Sequence, residues 1–306
     1  MNTRNETERA MIMMVIAMLM LPGIDAIAKW LSGSVSSGQV TASRLLFQVL
    51  FMSPLLIWTR GAWLTPVLWL HAARGTLIAA ATLAFFTGLA YLPVADAIAI
   101  FFIEPLLVTL LSVILLGETA GWRRLSAIAI GFLGALIIIR PTFSDVGWPV
   151  LYPVIAAVFF SLYILLTRKL VASEDPVRLQ FFSGLFGLLV MGGALVMGTR
   201  NQIDILVAAW PTLTQWMLLA GLGLIATLGH LLVVHAFRRA PVSVLAPFQY
   251  VEIIGATILG FVFFNDFPDP VTWLGIAVIV GSGIYVFHRE ALLGRNAGPP
   301  KIIVRE

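Results

Sequence analysis

The chain has 306 residues, of which 60% are hydrophobic and only 11% charged, with a formal net charge of +4 and a mean hydropathy of +0.99. Soluble domains carry about 25% charged residues, so this composition excludes an ordinary soluble fold and points to an all-α membrane protein. The absence of cysteine excludes disulfides, thiolate metal sites and cysteine nucleophiles; the basic balance, which would suggest nucleic acid in a soluble chain, is here a matter of membrane topology.

At about 20–30 residues per crossing with its loop, the sequence holds ten transmembrane helices. The apolar segments run over 10–31, 38–58, 68–91, 94–116, 124–140, 148–169, 177–197, 213–236, 243–264 and 271–288. The first is not a cleavable signal, because Asp25 and Lys29 end it without a small-residue cleavage site. Tryptophans such as Trp63, Trp69, Trp122, Trp148 and Trp210 mark the segment ends, as an interfacial belt requires. One set of loops collects Arg4, Arg9, Arg60, Arg74, Arg123, Arg168, Arg238, Arg289, Lys301 and Arg305; the other holds only Lys29, Arg140 and Arg200. Cytoplasmic loops are the basic ones, so both termini are expected inside a bacterial inner membrane. Arg44 is the one basic residue expected well within a span.

The fourth segment carries Glu104 near its middle, with Pro105 beside it. A carboxylate at the centre of a membrane helix is unfavourable by roughly 2.5–3.5 kcal/mol, so such a group faces an interior. A shift of 148 residues sets Pro93-Val94 on Pro241-Val242, Glu104 on Glu252, Thr109 on Thr257 and Glu118 on Asp266. The chain then divides into a tail (1–9), a five-helix repeat (10–140), a second such repeat (148–288) and a basic tail (289–306). Five is odd, so the repeats enter the membrane from opposite sides, as inverted repeats around a central cavity.

At 1.5 Å per residue both Glu104 and Glu252 lie about 14 Å into their spans, near the midplane. Inverted-repeat transporters hold substrate at that depth. Gln249 and Tyr250 add polar groups beside Glu252, Phe101 offers an aromatic wall before Glu104, and Tyr163 lies at mid-depth in the sixth span. The bland alternative is that the acids bond helix to helix as structural glue, and that Tyr163 only packs. Arg44 is either a counter-charge for Glu104 or a substrate carboxylate, or an arginine snorkelling to the headgroups. Asp25 and Asp96 fall close enough to the outer ends to be solvated, and His230 and His235 read as packing or interfacial histidines. Pro22, Pro105 and Pro247 each remove a backbone hydrogen bond inside a span and kink it, at positions suited to gating. Small residues in Ala127-x-x-x-Gly131 and Ala277-x-x-x-Gly281 allow close helix packing.

Ten spans in two five-helix halves, the Pro-Val lead-ins, the Gly117-Glu118 ending of the fourth span and the glycine-rich fifth and tenth spans resemble the drug/metabolite transporter superfamily. Within it the chain is similar to EamA-type members and the bacterial amino-acid exporters, including the aromatic amino-acid and paraquat exporter group. The second half departs from the motif, reading Asn265-Asp266. The resemblance covers residues 10–289 and implies a basket of ten helices around a cavity with alternating access. It also implies export of amino acids or related small metabolites. A multidrug or lipophilic-cation exporter of the same fold is the alternative. An enzyme is not expected, since the sequence has neither His-Glu-x-x-His nor a Ser/His pair at matching depth. No cofactor or metal is implied; the partners are a small-molecule substrate and the lipid bilayer, and a monomer suffices.

Overall fold

The computed structural model describes residues 3–58, 67–117, 121–170, 174–240 and 242–296. Arg60, Trp63, Glu118, Pro241, Lys301 and Arg305, named above, lie outside them. The described residues form helices and no strand. Eight helical stretches are long and apolar enough to cross a membrane, and Pro270–Val286 is a shorter apolar one.

In chain order, α1 (Thr3–Met20) and α2 (Pro22–Leu31) make one stretch interrupted at Leu21, followed by α3 (Ser37–Trp58) and α4 (Leu68–Leu89). Then come α5 (Val94–Phe101) and α6 (Glu104–Leu116), parted by Phe102 and Ile103, and α7 (Trp122–Val146). A 3-10 turn at Trp148–Leu151 leads into α8 (Tyr152–Leu170), followed by α9 (Pro176–Arg200) and α10 (Leu213–Phe237). The last elements are α11 (Val242–Leu245), a 3-10 turn over Ala246–Tyr250, α12 (Val251–Phe264) and α13 (Pro270–Asn296). The final helix thus runs beyond residue 288, where the sequence suggested a tail.

Local signals place these limits. Pro22, Pro105 and Pro176 stand in the first turn of their helices, where the missing N–H is no loss. Asp175 caps α9 by accepting from Val177 N at 2.9 Å, and Thr212 with Gln215 forms a reciprocal capping box on α10. Pro54 and Pro141 lie within unbroken helices, so proline alone does not make the interruptions at residues 21, 102–103 and 246–250.

The 148-residue shift is visible in the backbone. α5 starts at Val94 and α11 at Val242; α6 ends at Leu116 and α12 at Phe264. Each pair is capped by a left-handed residue, Gly117 (φ 69°) and Asn265 (φ 56°), the residue types that tolerate this conformation at a helix end.

Helices from the two halves interleave: α3 packs on α9 and α10, α4 on α8 and α9, and α5 on α12. α7 and α13 form a tight pair. A Cβ on Gly275 would meet Gly134 O at 2.9 Å, one on Gly134 would meet Val278 and Ile279 at 2.9 Å, and one on Gly131 would strike Leu106 and Ser282. Close approach therefore rests on Gly131, Gly134 and Gly275. Gly281, grouped with Ala277 by sequence, faces open space instead. Alanines and aliphatic residues of α2, α4 and α5 pack with Leu219, Leu222 and Ala256 in the main core. A second cluster joins Ala10, Met14 and Ala17 to Ala236 and Leu245. Outward residues such as Leu133 (58% exposed) and Val262 (65% exposed) are apolar, which suits a surface solvated by lipid.

Candidate transport site

Two ends can be told apart: one where α1 begins, here the N-terminal face, and the far face opposite. The far face is tied across the halves. Lys29 Nζ at the end of α2 donates to Asp266 Oδ2 just past α12 at 2.8 Å and to Leu92 O at 2.8 Å. It also lies 5.1 Å from the centroid of Phe264. Asp96, with one carboxylate oxygen buried and without a hydrogen-bond partner among the described residues, faces the same charged cluster. Beside it, Gln39 pairs with the Ala209 backbone, donating at 2.6 Å and accepting at 2.9 Å.

One and a half turns below lies a buried polar layer. Asp25 (8% exposed) on α2 and Arg44 (6% exposed) on α3 are within electrostatic reach of each other. Arg44 Nη1 donates to Thr82 Oγ1 of α4 at 3.2 Å. A buried guanidinium is tolerated when opposite charge and acceptors surround it. Here they are inside the bundle, so the snorkelling alternative for Arg44 does not hold. Asp25 is an acidic neighbour of Arg44. Asp25 itself is buried, contrary to its expected solvation: the side chain points inward, so six residues of separation from the helix end do not bring it to water. Glu252, second residue of α12, is half-buried and senses the charge of Asp25. His230 of α10 lies near Arg44, and its Nδ1 is 2.6 Å from Ala226 O. A carbonyl only accepts, so Nδ1 carries hydrogen and Nε2 is the atom left for other partners.

An aromatic row flanks this layer. Phe85 of α4 meets Phe101 of α5 at 5.3 Å between centroids, Phe101 meets Phe160 of α8 at 5.5 Å, and Phe160 meets Tyr163 at 5.6 Å. These tilted and edge contacts are the preferred geometry of paired rings. The row ends at Arg74, whose guanidinium lies 4.8 Å from the Tyr163 ring centroid.

Arg74 closes the N-terminal face. The charge census counted it with the basic residues of the inner side, within the 68–91 segment; it lies in the second turn of α4 and is 1% exposed. Its three guanidinium nitrogens each donate once, to Thr167 Oγ1 at 3.0 Å, Leu179 O at 3.2 Å and the Tyr163 hydroxyl at 3.1 Å. Tyr163 in turn donates to Gln180 Oε1 at 3.5 Å. The buried charge is thereby spread over α8 and α9.

The remaining predicted residues form a separate group. Glu104 is the first residue of α6; its backbone oxygen accepts from Ser161 Oγ at 3.2 Å, and its side chain is an electrostatic neighbour of Tyr250. Tyr250 is wedged between α5 and α13, its ring 5.3 Å from Phe102 and its hydroxyl against Gly283. Gln249 and Pro247 are half-buried in the 246–250 turn. Pro22, Pro105 and Pro247 each sit at one of the three interruptions. The structure thus brings Arg44, Tyr163 and Glu252 toward one layer and sets Glu104 with Tyr250. It adds Asp25, Thr82, Phe85, Phe160 and His230, none of which sequence reasoning placed in the site. Among the described residues no group of three or more His, Asp or Glu is arranged to hold a metal.

The EamA-like transporter family profile matches the chain twice, over residues 8–140 and 147–287. The S-adenosylmethionine uptake transporter of Rickettsia bellii is 27% identical over 87% of the chain and 89% of its own length. The riboflavin transporter of Rhizobium johnstonii is 27% identical over 90% of each. A solved crystal structure shares the fold with a TM-score of 0.64 at 20% identity, covering 92% of this chain and 98% of that one.

Proposed function

Because the chain belongs to the EamA-like transporter family, a set of multi-pass membrane proteins moving small metabolites, we propose that it carries a metabolite with an α-amino-acid head group and a planar ring. One observation carries this reading: Arg44 faces Asp25, which in turn neighbours Glu252, and its other electrostatic neighbour is Tyr163, at the end of the Phe85–Phe101–Phe160 row. A guanidinium suits a carboxylate, the acids suit an ammonium, and the rings suit a flat apolar body. Amino acids with aromatic side chains have this make-up. So does S-adenosylmethionine, the substrate named for the Rickettsia relative. Riboflavin, named for another, has the ring without the head group.

In this reading all ten helical stretches cross a bacterial inner membrane, α3 included despite Gln39, Arg44 and Gln48, and the basic loops put both termini in the cytoplasm. The two family copies are inverted repeats about a chamber that the polar layer and the aromatic row would line, and they rock against each other. The Lys29–Asp266 tie opens as one exit and the Arg74–Tyr163–Gln180 network as the other. Neither amino acids as the sole class nor export as the direction is carried over from the sequence, since one relative is named for uptake. Arg44 disfavours a lipophilic cation in the same chamber. No catalytic step is assigned.

The test is counterflow in proteoliposomes with radiolabelled aromatic amino acids, S-adenosylmethionine, riboflavin and a lipophilic cation. Accumulation of at least one compound with an amino-acid head is expected, with cross-competition among such compounds. If none moves in either direction, with or without a pH gradient, the reading is wrong. Movement of riboflavin alone would remove the head-group assignment.

A further inference from the structure

α7 and α13 touch closely through Gly131, Gly134 and Gly275, yet near the N-terminal face they part and leave a groove of about 450 Å³ opening away from the bundle interior. Trp122, Arg123, Ser126 and Ile130 of α7 line one side, Gly281 and Tyr285 of α13 the other. Seven residues separate Arg123 from Ile130, so the groove runs about 10 Å along the helix axis. With the basic face at the headgroups, it would descend from headgroup level into the hydrocarbon. At its deep end a Cβ on Gly281 would meet nothing within 4 Å, and Ile130 is 51% exposed. At its shallow end the Arg123 guanidinium lies 5.5 Å from the Trp122 ring centroid and pairs with no acid among the described residues. Ser126 Oγ donates back to Arg123 O at 3.0 Å.

We propose that this groove is a specific site for one anionic phospholipid. The phosphate would sit on Arg123, the glycerol region between Trp122 and Tyr285, and one acyl chain in the slot over Gly281 and Ile130. The volume is in the range of small-molecule sites, about 300–1,000 Å³. Charge decides the occupant: a cation with no acid partner among the described residues, above an apolar slot at the basic membrane face, complements an acidic headgroup, as basic pockets between helices do. A zwitterionic lipid brings its own cation to Arg123, and a second copy of the chain would have to bring an acid of its own against it. The site shares no residue with the chamber, so it stands whether or not the substrate assignment does.

Native mass spectrometry of the full chain, delipidated and titrated with phosphatidylglycerol or phosphatidylcholine, tests it. One phosphatidylglycerol is expected to bind about five-fold tighter than phosphatidylcholine, the gain from one arginine at an anionic headgroup. Arg123→Gln should erase the preference. Gly281→Leu, which fills open space without a collision, should cut occupancy about as much, whereas Gly193→Leu, at an exposed open glycine on α9, should not. A photoactivatable phosphatidylglycerol should label wild-type peptides containing Ser126–Ile130 or Gly281–Tyr285. Equal binding of the two lipids, occupancy unmoved by Gly281→Leu, labelling spread evenly over the chain, or a dimer cross-linked through Ser126 would each overturn the proposal.

Discussion

In the first broken span α5 passes to α6 through two residues, Phe102 and Ile103, and the carboxylate that follows, Glu104, has a tyrosine among its neighbours. In the second, the passage from α11 to α12 takes the five-residue turn 246–250, and Glu252 reaches the layer of Asp25 and Arg44. Register and caps are shared; the surroundings are not. Phe101 corresponds to Gln249 and Phe102 to Tyr250 under the 148-residue shift. The first copy therefore supplies aromatic wall, and the second supplies polarity. The lesson is that a repeated acid at equal depth need not repeat its role, because the partner helices differ.

Five variants would break or sharpen this contrast. Arg44→Met should reduce transport by at least about 100-fold, because removing one member of a buried charge set strands the others at about 3–5 kcal/mol. Counterflow rates per folded molecule measure it, and a rate above one tenth of wild type would move the centre of the site elsewhere. Glu252→Gln is expected to slow transport about ten-fold, the ~1–3 kcal/mol tied to one charged hydrogen-bonding group. Glu104→Gln should slow it by less than about three-fold, and equal losses would erase the distinction between the copies.

Gly283→Ala should destabilise by about 1–3 kcal/mol through overpacking against Tyr250, read as a lower melting temperature in detergent. Tyr250→Phe in that background should restore part of the loss, which marks Tyr250 as a wedge. The smallest effect is expected at the far face. Asp266→Asn weakens a partly exposed tie to Lys29, whose side chains are 18% and 30% exposed, so the shift toward a far-face-open state is about two- to five-fold. A single cysteine introduced at Thr82, in a chain that has none, would report it as faster modification by a membrane-impermeant thiol reagent. An unchanged rate would show that Lys29–Asp266 does not hold that end shut.

Much of the scaffold was legible because its signals are local. Proline in a first turn, glycine or asparagine after the last, and an apolar run of membrane length all act within a few residues. The 148-residue echo of Glu104 in Glu252 survives as matching helix limits. The chamber was less legible because its partners are distant. Arg74 finds Thr167, Tyr163 and Leu179 at separations of 93, 89 and 105 residues, and nothing near it in sequence distinguishes it from a loop arginine. Asp25 misled for a geometric reason: distance from a helix end measures depth, whereas solvation also depends on which way the side chain turns. A usable signal was present, since Asp25 follows Pro22 by three residues, much as Glu252 follows Pro247 by five.

The three interruptions fall in α1–α2, α5–α6 and α11–α12, the stretches that also carry Asp25, Glu104 and Glu252. At each, proline stands in the first helical turn after or within the break, where its missing N–H leaves no ladder bond to lose. Bending there needs no further bond to be broken in the hydrocarbon, where an unmade one is most expensive. The upper and lower halves of each stretch can then swing as separate levers while their carboxylates stay near the pivot. A molecule held at the acids would be handed from one opening to the other with little travel of its own, the protein moving around its cargo.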